Sequence, residues 1–94
     1  QLQELTADIA FLGTDGLTME GGATTANVLM AEVDRMMADH ARKTVLVTDS
    51  SKFGRKGFVP VKAVSAYHTI ITDNGAPAEI VQAIRDMGVE VLLV

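Results

Sequence analysis

Thr44-Val45-Leu46-Val47-Thr48-Asp49-Ser50-Ser51-Lys52-Phe53-Gly54 decides how the chain is read. Three apolar residues, two of them β-branched, run without alternation between two threonines. That is the pattern of a strand buried on both faces, the habit of a parallel sheet. The run stops in Asp-Ser-Ser-Lys, a carboxylate, two hydroxyls and an ammonium. In open α/β sheets ligands bind outside the carboxyl ends of the strands, so this cluster stands where such folds keep their chemistry. A plainer role fits as well: Asp49 or Ser50 caps the next turn while Lys52 points to water.

The chain around it has 94 residues, a hydrophobic fraction of 48% and a net charge of −4. One domain with enough apolar residues for a core follows, and disorder does not. The absence of cysteine excludes disulfides and thiolate zinc sites and is compatible with a reducing compartment. No apolar run approaches the roughly 20 residues of a membrane span, and no signal peptide is visible. The chain does not start with Met, as expected of a piece of something longer. Eight basic residues are scattered among twelve acids, with one local excess at Lys52, Arg55, Lys56 and Lys62. That patch suits one small anion, not a duplex, whose phosphates demand a basic stripe.

Upstream, 8–12 is a short apolar run ended by Gly13, which predicts a buried strand. Four glycines within Gly13 to Gly22 then argue against a regular element. Glycines let backbone N–H groups approach a ligand; Asp15 and Glu20 flank this loop, and Thr24 and Thr25 close it. From about 25 to 40 the pattern is helical. Leu29, Val33, Met36, Met37 and His40 form an apolar stripe, with Thr24 or Thr25 as N-cap and Arg42 and Lys43 after the last turn. Glu32 with Arg35, and Arg35 with Asp39, are spaced to meet on the solvent face. Met30, Met36 and Met37 read as core filler, and His40 as a buried or capping residue, since no second metal ligand stands at metal spacing.

Downstream, Pro60 opens a short helix over 60–66, with Val61, Val64 and Tyr67 every three residues. Residues 69–72 predict another buried strand, again stopped by an aspartate, Asp73. Pro77 near N1, Glu79 in the first turn and Gly88 at C′ delimit a helix over 77–87. Residues 89–94 predict a last, central strand. Strands alternating with helices mean parallel pairing through right-handed crossovers. The expected fold is an α/β domain of two or three layers with an open parallel sheet of about four strands. Two of its strands end in Thr-Asp, a repetition that suits parallel strands whose carboxyl ends gather on one rim.

No nucleophilic triad, Walker loop or three-glycine dinucleotide fingerprint is present. What remains at the rim is glycine-rich backbone, hydroxyls, carboxylates and one lysine, an inventory suited to a phosphorylated polyol or sugar. Lys52 would pair with phosphate as a point charge. Backbone N–H groups before the helix at Thr25 would hold an anion. Asp15, Glu20 or Asn27 would meet sugar hydroxyls.

Four segments in order carry a family likeness: Asp8-Ile-Ala-Phe-Leu-Gly-Thr-Asp-Gly-Leu, Glu20-Gly-Gly-Ala-Thr-Thr, Leu46-Val-Thr-Asp-Ser-Ser-Lys-Phe-Gly and Ile70-Ile-Thr-Asp. Together they resemble the C-terminal sensor domain of DeoR-family bacterial transcriptional regulators. The resemblance covers nearly the whole chain. It implies an effector-sensing module of a repressor that binds a phosphorylated sugar or related metabolite and thereby alters DNA binding. DNA would be met only through an N-terminal winged helix-turn-helix that is not in this chain. The resemblance further implies a cytoplasmic protein, no cofactor, and a fold similar to ribose-phosphate isomerase and coenzyme A transferases.

The resemblance implies roles for Asp15, Gly21, Gly22 and Lys52; together with the reading of the residues themselves, the candidate ligand-binding set is Asp15, Gly16, Glu20, Gly21, Gly22, Thr24, Thr25, Asn27, Asp49 and Lys52. Where the isomerase loop opens with lysine this chain has Glu20, which argues for a sensor over the alternative, an isomerase-like enzyme. His68 stands where the family often has an aspartate. The family's first part of the sensor domain, with its own phosphate loop, also lies outside these residues, so the chain would be the second part of a sensor. A partial domain leaves a sheet face or helix stripe uncovered, and such surfaces associate; a homo-oligomer is expected.

Overall fold

The computed structural model describes residues 7–94; the expected lead-in over 1–6 lies outside them. Four strands form a parallel sheet in the order β1-β4-β6-β7: β1 (Ala7–Leu12), β4 (Ala41–Val47), β6 (Thr69–Thr72) and β7 (Glu90–Leu93). The α/β parallel sheet read from the sequence is therefore present. The decisive run lies inside β4, with Thr44, Val45 and Leu46 buried. Leu46 and Ile70, in register on the two interior strands, are wholly buried.

Every second residue of the sheet points into one core. Leu12, Leu46, Ile70 and Val91 meet Val81 and Ile84 of α2 (Ala78–Asp86) there. Ala38 of α1 (Val28–Asp39) packs against the same cluster. Both helices thus cover a single face. That is what right-handed crossovers require when strands are added in one direction. Gly88, at φ 91°, ends α2 as expected, its N–H bonding Arg85 O at 2.9 Å.

The first correction concerns the glycine-rich segment. Instead of an irregular loop it forms β2 (Gly16–Thr18) and β3 (Gly22–Thr25), an antiparallel hairpin. With β5 (Val59–Lys62) they make a second, three-stranded sheet. The glycines serve close approach. A Cβ at Gly16 would lie 2.3 Å from Arg55 O, and one at Gly22, where φ is 68°, would lie 2.2 Å from Lys62 O. β3 is buried throughout, and Leu17 and Ala23 join the core.

The predicted helix over 60–66 is also corrected. Pro60 sits in β5, paired with Thr24; β5 is the edge of its sheet, where a missing N–H is tolerated. A 3-10 turn, Val64–Ala66, follows. The three-residue spacing of Val61, Val64 and Tyr67, all buried, comes from a strand and a turn together.

In α1 the N-cap is Asn27 rather than Thr24 or Thr25: its Oδ1 accepts from Leu29 N at 2.8 Å and Met30 N at 3.2 Å. His40 caps the other end, as one reading had it, with Nδ1 2.8 Å from Met36 O. Arg42 and Lys43 belong to β4, not to the helix end. The expected pairs within the helix give way to ties with β5. Arg35 donates to Pro60 O at 2.5 Å, and Asp39 meets Lys62 Nζ at 2.5 Å.

The stripe expected in the core is half exposed instead. Of α1 only Ala31 is buried, and Met30, Met36 and Met37 are exposed. β1 is buried only at Ala10 and Leu12, and β7 is an edge strand rather than a central one. His68 acquires a role: its backbone joins Thr44 O to Glu90 N, and its ring Nδ1 accepts from Thr44 N at 3.3 Å.

Candidate functional site

The carboxyl ends of β1, β4 and β6 lie on one rim, and each is followed by an aspartate. After β1, Gly13 to Asp15 turns into the hairpin. Asp15 Oδ2 accepts from Thr25 Oγ1 at 2.9 Å and from Ala26 N at 3.1 Å. Those two donors, the Ala26 N–H first, hold its carboxyl below the usual carboxylate range, and the charge of Lys52 adds to them. After β4, Asp49 caps the 3-10 turn Ser50–Lys52, accepting from Ser51 N at 3.0 Å and from the Ser51 hydroxyl. The Ser51 hydroxyl bond is the chief cause of its lowered pKa. After β6, Asp73 accepts from Ser50 N at 2.9 Å and Gly75 N at 2.8 Å. Bonds from Ser50 lead the causes that lower its pKa.

Beside this rim a cleft of about 430 Å³ opens between the β1–β2 turn and α1. Its walls include Thr14, Asp15, Thr24, Thr25, Asn27 and Asp34. Asp34 faces the cleft from the second turn of α1. Burial, and then the charge of Asp15, raise its pKa above the usual value. Behind it, burial and then the Asp34 charge push the Tyr67 hydroxyl up to about 12. The threonines are fixed by backbone: Thr14 Oγ1 lies 2.7 Å from Gly16 O and 2.9 Å from Thr24 O, with one proton to donate to either. Gly57 N donates to Thr24 Oγ1 at 2.7 Å. The result is a small hollow with two carboxylates of opposed pKa tendency and a wall of oriented hydroxyls, which suits a polyhydroxy compound.

The residues singled out in the sequence fall into four groups. Asp15, Thr24, Thr25 and Asn27 line the cleft. Asp49 and Lys52 stand on the neighbouring strand tip, tied to the hairpin by the Leu17–Phe53 bridge and a Gly54 N to Leu17 O bond of 2.8 Å. Lys52 is near enough to lower Asp15 and Asp49 but does not wall the cleft. Gly16 serves backbone packing. Glu20 and Gly21 lie in the far turn of the hairpin and Gly22 opens β3; Glu20 sits with Met19, Ile80 and Ile84 along a separate groove.

Three of the N–H groups around the start of α1, where an anion was expected, have side-chain acceptors. Asn27 takes the N–H groups of Leu29 and Met30, and Asp15 takes that of Ala26. Asp34 was missed. Its signal was present: Asn27, Met30 and Asp34 follow at three and then four residues, one line along a helix.

The chain is similar in sequence to known transcriptional regulators. The family model of the DeoR C terminal sensor domain matches residues 1–74. A putative aga operon transcriptional repressor of Escherichia coli O157:H7 is 39% identical over 93 residues, covering 99% of this chain and 35% of that protein. The HTH-type transcriptional regulator GlpR of Haloferax volcanii is 39% identical over 85 residues, covering 90% of the chain and 33% of that protein. The glycerol-3-phosphate regulon repressor of Escherichia coli K12 is 25% identical over 92 residues, covering 98% and 36%. The chain spans about a third of the length of these relatives. The match to the family model over most of the chain shows the family: the chain belongs to the DeoR family of transcriptional regulators, through that family's C-terminal sensor domain.

Proposed function

We propose that this chain is the effector-sensing part of a DNA-binding repressor of sugar metabolism. Its cleft takes the hydroxylated end of a phosphorylated sugar or polyol, without turning it over. The observation that carries the reading is the pairing of Asp15 and Asp34 across a threonine-walled hollow. Ionised carboxylates accept from several sugar hydroxyls at once, and a bound hydroxyl between them relieves their repulsion. Lys52, on the adjoining strand tip, supplies the charge for the phosphate.

The amides of Leu29 and Met30 are held by Asn27 and that of Ala26 by Asp15, which favours Lys52 as the phosphate's partner. Two relatives bear names that point the same way, one after the aga operon and one after the glycerol-3-phosphate regulon. The DNA-binding part lies in the portion of the regulator outside these residues.

Thermal melting of the full regulator with a panel of phosphorylated and free sugars tests this. A true effector raises stability by RT ln(1 + [L]/Kd), about 2.7 kcal/mol at a hundredfold excess over Kd. Asp15→Ala should abolish the shift. Lys52→Ala should weaken the response to phosphorylated sugars and leave any response to free sugars intact. Turnover of a sugar phosphate by the full regulator, lost on Lys52→Ala, would establish the isomerase-like reading instead.

A further inference from the structure

The cleft beside the rim is rich in acceptors and poor in donors. Its polar side chains are Thr14, Asp15, Thr24, Thr25, Asn27 and Asp34. Thr14 spends its proton on the carbonyl of Gly16 or of Thr24, and Thr24 turns its own toward Gly16 O at 3.4 Å. Thr25 donates to Asp15 Oδ2. All three hydroxyl protons are thus committed to protein acceptors. Asn27 Oδ1 holds two helix amides, and its NH₂ group is left as a side-chain donor of the wall.

Acceptors stand ready by contrast. Both bonds to Asp15 go to Oδ2, so Oδ1 keeps its lone pairs. The ion pairs among the described residues join Arg42 to Asp8 and Lys62 to Asp39, and Asp34 has none. What acts on the Asp34 carboxyl is burial and the charge of Asp15, with no donor or cation to offset them. Tyr67, buried behind Asp34, meets it as a charge and not as a hydrogen-bond partner. Two carboxylates and no basic side chain therefore wall a hollow of about 430 Å³.

We propose that the effector presents a protonated amine to this cleft, held between Asp15 and Asp34, so that it is an amino sugar phosphate. The inference rests on the effector reading given above and narrows it. An ammonium brings three donors, no acceptor and one positive charge, the complement of this wall. A hydroxyl in the same place brings one donor. It displaces water from Asp34 and leaves that charge without a counter-ion, and burying an unpaired charge is costly. A phosphate meets two like charges and almost no donors, so the wall turns that end of the effector away, toward Lys52. N-acetylation of the amine removes the charge and all but one of the donors, and an acetamide falls with the hydroxyl compounds.

Isothermal titration calorimetry of the full regulator with matched compounds tests this. Glucosamine-6-phosphate is set against glucose-6-phosphate, and galactosamine-6-phosphate against galactose-6-phosphate, each with the N-acetyl derivative as uncharged control. In at least one pair the amine should bind at least about tenfold tighter than both the hydroxyl and the acetamide compound. Asp34→Asn keeps the size of the side chain and removes its charge, and the ratio of amine to hydroxyl affinity should then fall to about one. A ratio near one in both pairs for the unsubstituted regulator would overturn the inference, as would tighter binding of the hydroxyl or acetamide compounds. Either result would leave the effector reading standing, because sugar phosphates would still bind. Silence of every compound would overturn both. A preference for the amine that survives Asp34→Asn would show that another group reads it, and would overturn the assignment to this pair. The first comparison uses the unsubstituted protein, so it holds whether or not the variant folds.

Discussion

Among the described residues, Thr72, buried at the carboxyl end of β6, carries a side-chain oxygen without a hydrogen-bond partner. A buried hydroxyl without a partner carries its desolvation cost uncompensated. Thr72→Val keeps the shape and removes the oxygen, so the melting temperature should hold or rise, by up to about 1 kcal/mol of stability. A clear fall would mean that the hydroxyl is used when the full regulator is assembled. Thr24 is the contrast. Its hydroxyl accepts from Gly57 N, so Thr24→Val should cost about 1–2 kcal/mol in chemical denaturation. Asp15 differs again, because its bonds to Thr25 and Ala26 fix the mouth of the cleft as well as the turn.

At the scale of elements, the hairpin and α1 set the geometry of the site. The hairpin depends on Gly22, where both the positive φ and the nearby Lys62 O exclude a side chain. Gly22→Ala should destabilise by at least about 1–3 kcal/mol, more than Gly54→Ala, where φ is also positive but space is open. Paired denaturation curves would show the difference. α1 depends on its cap: Asn27→Ala should cost about 1 kcal/mol and free two N–H groups beside the cleft. Arg35 and Lys62 then anchor the helix to β5, so the two elements that wall the cleft move together.

Over the whole molecule, the strand-tip carboxylates make stability depend on pH. Asp15, Asp49 and Asp73 are all held below their ordinary pKa by bonds made in the fold. Such groups stabilise above the unfolded value of about 3.9, and that stabilisation is lost as pH falls through the lower folded values. Asp34 has the opposite sign: its folded pKa is raised, so its ionised form opposes folding at neutral pH and protonation relieves this. Asp34→Asn should therefore melt higher than the parent at pH 7, and the gap should close as pH falls through the folded Asp34 value. A scan of melting temperature from pH 7 to about 3 checks both signs. No helix among the described residues is long and apolar enough to cross a membrane.

Local pattern alone determined the parallel sheet. Unbroken apolar runs such as Thr44 to Thr48 read as strands of a parallel sheet, and Thr-Asp after two of them marks their ends, although Val47 on the second face stays nearly half exposed. Gly88 and the apolar face of α2 were equally readable, because caps and periodicity act within a few residues. The small sheet was not readable. Gly16 and Gly22 look like loop glycines until β5 and the segment around Arg55 are placed against them, and Pro60 looks like a helix start until its edge position is known. The exposure of Met36, Met37 and Phe11 was hidden for the same reason: an apolar stripe records that something is buried against it, not which segment does so. Asp15 was visible as a polar residue after a strand, but its partner Asp34 was not, because only the packing of α1 beside β3 and β5 brings the two carboxylates to one cleft. Composition and spacing fix which residues must leave water; contacts between distant segments decide where they go.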